Sequence, residues 1–272
     1  MIIRTKGDIL QDTALAQIGG KGLFVKEIEE ALLAGKIDIA VHSLKDMPAD
    51  LPEGLEIGAT PKREDPRDAW VAADGRPIGE APRGARIGTG SLRRGLQAKR
   101  IVPQAEVVPI RGNLDTRIRK IVSEQLAGVI VAAAGLARMG WTDRATQILE
   151  PDVMLPAVGQ GILAVEMRSG DRIVREILQE IDDAVAGVEA NAERAFLRTL
   201  GGGCRLPVAA HAESRGGRIR IRALVGSEDG STVIRDEMTG ANEIAEAVGR
   251  EVAERILHAG GRELLAAVYG RT

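Results

Sequence analysis

Apolar positions along the chain alternate between a spacing near one helical turn and short unbroken runs, which predicts helices interleaved with strands. In LFVKEIEEALLAG (23–35), Leu23, Phe24, Ile28, Ala31 and Leu32 share one helical face, and Gly35 supplies the stop. IDIAVHS (37–43) is a short apolar strand that runs into the polar turn Ser43-Leu44-Lys45-Asp46-Met47-Pro48. ARIGTG (85–90) predicts a strand ending in glycine, and SLRRGLQAKR (91–100) a helix with Ser91 as its N-cap. AEVVPI (105–110) predicts a strand, NLDTRIRKIVSEQL (113–126) a helix, and GVIVAAAG (128–135) a buried strand. This order is βαβ, and it predicts parallel sheets with functional loops at the strand C-termini.

The pattern changes after about residue 180. DAVAGVEANAERAFLRTL (183–200) predicts an Ala-rich helix halted by Gly201-Gly202-Gly203. GRIRIRALVG and STVIRDEMTG flank Glu228-Asp229-Gly230 and alternate apolar with polar, which predicts an antiparallel hairpin. A long amphipathic helix over about 243–258 and a short one after Gly260-Gly261 close the chain. The expected architecture is α/β: two lobes followed by a small C-terminal α+β domain.

Composition narrows the function. The 272 residues carry 37 Lys+Arg against 39 Asp+Glu, so the chain lacks the positive excess of a polybasic nucleic-acid binder. Aromatic residues make up 2%, too few for a base-stacking surface. One cysteine leaves no internal disulfide and no multi-Cys metal site. No apolar run is long enough to span a bilayer, and the opening MIIRTKGDILQDT is too polar for a signal peptide, so a cytoplasmic chain is expected. Of the basic residues 29 are Arg and 8 Lys, and Arg93, Arg94, Arg100, Arg111, Arg117, Arg119 and Arg138 crowd the centre. Arginine suits bidentate binding of carboxylate or phosphate, although any single one also serves as ordinary helix decoration.

Three constellations could carry chemistry. Lys45-Asp46 places a base beside an acid at a strand end, suited to proton transfer or to stabilising a developing cation. By spacing alone, the commoner meaning of such a pair is a solvated turn with a local ion pair. GTGSLRR (88–94) combines glycines, a helix N-terminus and two arginines into an anion site, without matching a P-loop or G-x-G-x-x-G. Cys204, in GGGCRLP, follows a helix stop in a glycine-rich loop beside Arg205, which favours an accessible thiolate. None of His42, His211 and His258 sits in a Cys–His hydrolase motif.

Taken in order, GGKGLFVKEIE (19–29), AVHSLKDMP (40–48), KREDPRDAWV (62–71), GTGSLRR (88–94), IRGNLDTR (110–117), AAGLARMG (133–140), LPAVGQG (155–161) and GGGCRLP (201–207) closely resemble the porphobilinogen deaminase (hydroxymethylbilane synthase) family from Thr5 to Gly270. The resemblance implies a transferase that deaminates porphobilinogen and joins it head-to-tail into the linear tetrapyrrole hydroxymethylbilane. It implies a dipyrromethane cofactor bound as a thioether to Cys204, with Asp46 catalytic beside the pyrrole nitrogens. Lys45, Thr89, Ser91, Arg93 and Arg94 would bind the cofactor, and Lys21, Arg111, Arg117, Arg138 and Gln160 the substrate or growing chain. It further implies a cytoplasmic monomer in haem-type porphyrin biosynthesis, with no metal, nucleic-acid or membrane partner.

The fold implied is two lobes like type II periplasmic binding proteins plus a third domain. The expected division is 1–61 with 162–180, 67–156, and 184–272 with the cysteine. Members normally open with a strand bearing R-x-S-x-L-A ahead of the segment matching Thr5. The first lobe is therefore expected to be N-terminally truncated, and the chain less stable than full-length members, with little or no deaminase activity. A two-lobed anion-binding module without catalysis is the alternative; Asp46 and Cys204 favour the enzyme, since a receptor needs neither.

Overall fold

In the computed structural model, which describes residues 25–202 and 206–269, the first element is helix α1 (Lys26–Leu33). Its buried Ala31 and Leu32 lie on the expected face, and Gly35 ends it at φ +65°. Leu23 and Phe24 of that face lie outside the described residues. Strand β1 (Ile39–Ser43) leads into a single 3-10 turn, Leu44–Asp46, and then into β2 (Leu55–Ala59). The chain continues through β3 (Asp68–Ala72), β4 (Arg86–Gly88), α2 (Leu92–Ile101), β5 (Glu106–Val108) and α3 (Leu114–Ser123). Next come β6 (Gly128–Ala132), α4 (Ala133–Arg138), β7 (Gln147–Leu149), β8 (Leu163–Arg168) and α5 (Arg172–Leu178). The last part comprises α6 (Ala184–Thr199), β9 (Val208–Arg215), β10 (Arg218–Gly226), β11 (Val233–Ala241), α7 (Ala245–Ile256) and α8 (Arg262–Tyr269).

Three sheets organise these elements: β1-β8-β2, β5-β4-β6-β3-β7, and the meander β11-β10-β9. The class is α/β with a smaller α+β unit, as expected. Strand direction differs from the expectation. Only β4 runs parallel to its neighbours β5 and β6, and every other described pairing is antiparallel. Apolar periodicity marks which residues form a strand but carries no information on its direction. GVIVAAAG also divides: the β-branched run Val129-Ile130-Val131 is strand, while Ala133 opens α4, in keeping with alanine's preference for helix.

The five-stranded sheet is buried on both faces, which explains why its strands read as continuous apolar runs. Along β6, Val129 and Val131 enter one cluster with Ala69, Val71 and Leu136, while Ile130 enters the other with Trp70, Ile87 and Leu149. The third sheet packs on α6 and α7 around Phe196, Leu197, Ile219, Ile221 and Val252.

Two stretches cross between the first two sheets, one leaving β2 for β3 and one returning from β7 to β8. They meet at Gly161, whose carbonyl accepts from Glu64 N at 3.1 Å. Gly161 has φ +89°, and a Cβ there would lie 2.4 Å from Glu64 O. Only glycine permits this approach.

Candidate active site

The site is assembled from the ends of elements around these crossings. Asp68 opens β3 and is fully buried, receiving Arg93 Nη1 at 2.7 Å and Arg94 Nε at 2.9 Å. Both arginines lie in the first turn of α2, where Ser91 Oγ accepts from Arg94 N and so caps the helix as expected. Gln160, on the returning crossing, donates to Asp68 Oδ1 at 3.0 Å and to Pro66 O at 2.7 Å. Burial alone would raise the Asp68 carboxyl, but the guanidiniums of Arg93 and Arg94 override it and hold it far below the usual carboxylate range.

Lys45 lies within electrostatic range of this cluster. Burial, with Arg94 nearby, pushes its ammonium from the ordinary 10.5 down to about 8, while Asp46 and Asp68 act in the opposite sense. Asp46 itself is exposed on the 3-10 turn and faces Arg117 electrostatically. Arg117, mostly buried, donates through Nε to Gly112 O at 2.8 Å, and burial together with neighbouring Arg111 lowers its pKa. Among the described residues, Lys45, Arg93, Arg94, Arg111 and Arg117 are thus electrostatic neighbours of one another and of Asp46 and Asp68, five cations to two carboxylates. Buried Arg93 Nε meets no partner among the described residues. A ligand bearing carboxylates would balance such a surplus.

The remaining expected residues take up three positions. Arg138 ends α4 and donates to Gly161 O at 2.9 Å, so it sits at the crossings. Thr89 and Ser91 line a cavity of about 550 Å³ shared with Lys99, Ser227 and Asp229, and among the described residues they are the only expected site residues to do so. Lys21 and Cys204 lie outside the described residues, although Gly202, two positions before the cysteine, is tied back to α6 by its N–H donating to Leu197 O at 2.9 Å.

Sequence reasoning assigned no role to Asp68, Arg63, Glu193 or Arg194. Arg63 donates to Gln160 O at 3.0 Å and Glu193 Oε1 at 2.8 Å, and Glu193 accepts from Gly159 N, so these two brace the returning crossing against α6. A signal was present: Glu193 and Arg194 fall on the face of α6 that also carries Ala190 and Leu197, and charges on a buried stripe are rare unless engaged. Asp68 likewise heads the apolar run DAWV.

Among the described residues, no helix is long and apolar enough to cross a membrane. A family model described as "Porphobilinogen deaminase, dipyromethane cofactor binding domain" matches residues 1–176, and one described as "Porphobilinogen deaminase, C-terminal domain" matches residues 188–258. A protein named porphobilinogen deaminase from Syntrophus aciditrophicus is 56% identical over 265 residues, covering 97% of this chain and 87% of that protein. Proteins of the same name from Syntrophobacter fumaroxidans and Bacillus thuringiensis are 48% and 49% identical, covering 98% and 97% of this chain and 87% and 86% of theirs.

Proposed function

Because the chain belongs to the porphobilinogen deaminase family, we propose that Asp46 is its catalytic carboxylate, that Cys204 anchors its cofactor, and that the surrounding cations hold the acid side chains of cofactor and substrate. The activity is transfer: porphobilinogen is deaminated and joined head-to-tail into hydroxymethylbilane. The family's cofactor is dipyrromethane, for which the matched domain is described. When bound, it supplies a covalently held primer to which the incoming pyrroles are added.

The cation surplus around Asp46 and Asp68 carries this reading. Each pyrrole bears an acetate and a propionate, so an occupied cleft fills with carboxylates, and guanidiniums are groups suited to hold them. Lys45, Arg93 and Arg94, with Ser91 and Thr89 at the start of α2, are assigned to the cofactor's acids. Arg111, Arg117, Arg138 and Gln160, with Lys21, are assigned to the incoming and elongating chain.

Asp46 has a different task. Loss of ammonia leaves positive charge on the substrate, and a carboxylate on an exposed turn stabilises that charge as it develops. The same oxygens receive and return the protons of deamination and rearomatisation.

The domain division 1–61 with 162–180, 67–156 and 184–272 is part of the same proposal, supported by the sheet that each span contains. A cytoplasmic monomer without nucleic-acid or membrane partners also belongs to it, supported by the balanced charge and low aromatic content. Intact mass and Ehrlich's reagent test the anchor. The purified protein should carry the mass of a covalent dipyrromethane and turn pink, and folded Cys204→Ser protein should do neither and be inactive. An active Cys204→Ser protein with normal kinetics would contradict the assignment.

A further inference from the structure

The turn that carries Asp46 is fastened from outside its own sheet. Arg194, on the buried face of α6, is 7% exposed, and its terminal nitrogens donate to two consecutive carbonyls, Pro48 O at 3.1 Å and Ala49 O at 2.7 Å. Among the described residues its guanidinium makes no ion pair; Asp50 and Glu166 act on it only from longer range. Burying a cation against carbonyls alone is costly, and an apolar side chain would fill the same space without that cost. What it gains is geometry, because a planar fork grips two acceptors in a fixed relation.

Side-chain packing reinforces the grip. Ala49 enters the same cluster as Phe196, Leu197, Leu200 and Leu206, and a Cβ on Gly202 would sit 3.5 Å from its own. Within its lobe the turn is tied by Leu44 N to Ile162 O at 3.0 Å and by Met47 N to Leu44 O at 3.2 Å. The segment after Asp46 is therefore bonded through backbone and side chain to the end of α6, from which the chain proceeds through Gly202 towards Cys204.

We propose that Arg194 is a positioning residue for the transferase reaction: it fixes the Asp46 turn against α6, so the carboxylate keeps its place while the cleft fills. This inference rests on the assignment of Asp46 and Cys204 given above. A shift of about 1 Å at a reacting group can cost on the order of a hundredfold in rate.

The test uses holoenzyme carrying Arg194→Met, which keeps length without donors, and Arg194→Lys, which keeps the charge with a single donor head. Cofactor content by Ehrlich's reagent should match the parent, and KM should stay within about twofold. Turnover per loaded site should fall on the order of ten- to a hundredfold in Arg194→Met, with part of the loss restored in Arg194→Lys. A purely structural role would lower Tm and yield but leave turnover per loaded site unchanged, and that result would overturn the proposal. Should Arg194→Met fail to accumulate, Arg194→Lys is read by the same criterion, and parental turnover per loaded site in it would also overturn the proposal. Failure of the underlying reading is separable. Active Cys204→Ser or Asp46→Asn protein would overturn the site itself, whereas normal Arg194→Met beside two inactive site variants would overturn only the clamp.

Discussion

Arg93 Nη1 lies 2.7 Å from Asp68 Oδ2, and the two side chains are 4% and 0% exposed. Asp68 also receives Arg94 and Gln160, so one buried carboxylate joins α2 to the crossing that returns from β7 to β8. Removing one partner of such a pair leaves charge uncompensated in a region of low dielectric. Asp68→Asn keeps the shape and removes the anion, leaving Arg93 and Arg94 facing each other. It is expected to lose about 3–5 kcal/mol in urea unfolding. Stability equal to the parent would show that the arginines find other counter-charges.

Lys45 makes the site sensitive to pH. Its pKa falls to about 8 in the folded protein against an ordinary 10.5, so the unfolded chain binds more protons between these values. Stability therefore rises with pH across this window, and the penalty for holding charged Lys45 is fully present below about 8. Lys45→Met should gain more stability over the parent at pH 7 than at pH 10, compared by urea midpoints of the cofactor-free proteins. A gain independent of pH would mean that folding leaves the pKa of the lysine unshifted.

The proposed assignment divides the arginines by task. Arg117 is mostly buried beside Asp46 and Arg111, so Arg117→Leu removes a cation that a pyrrole carboxylate would otherwise meet. Elongation should stall, with shorter enzyme-bound chains accumulating in intact-mass spectra, while the cofactor itself still assembles. The cost to the stalled step is on the order of 2–5 kcal/mol if the lost pair is desolvated. Unchanged chain distributions in Arg111→Leu, Arg117→Leu and Arg138→Leu alike would remove the case for a carboxylate-binding cleft.

Much of this was legible in the sequence because strong local signals carried it. The Ser91 cap, the Gly35 stop and the hairpin around Asp229 all form where the pattern predicts them. Strand direction was not legible: β1 pairs antiparallel with β8, which lies more than a hundred residues later, and no local spacing encodes that partnership. The site was legible as a set of cations, but not its internal accounting. Arg93 and Arg94 read as free anion-binding groups, whereas much of their hydrogen-bonding capacity is committed to Asp68 and to the carbonyls Leu155 O and Ile130 O. Asp68 and Arg194 act through tertiary contacts with residues far away in the chain, so their roles emerge only when the crossings and α6 are in place.

In the proposed mechanism Asp46 stabilises charge that develops during turnover, within a cleft whose cations do the binding. Steady-state kinetics of cofactor-loaded Asp46→Asn protein test it most directly, with porphobilinogen consumption measured across a range of concentrations. An interaction made mainly in the transition state predicts a large fall in kcat with KM close to the parent's. A loss confined to KM, with kcat retained, would contradict it.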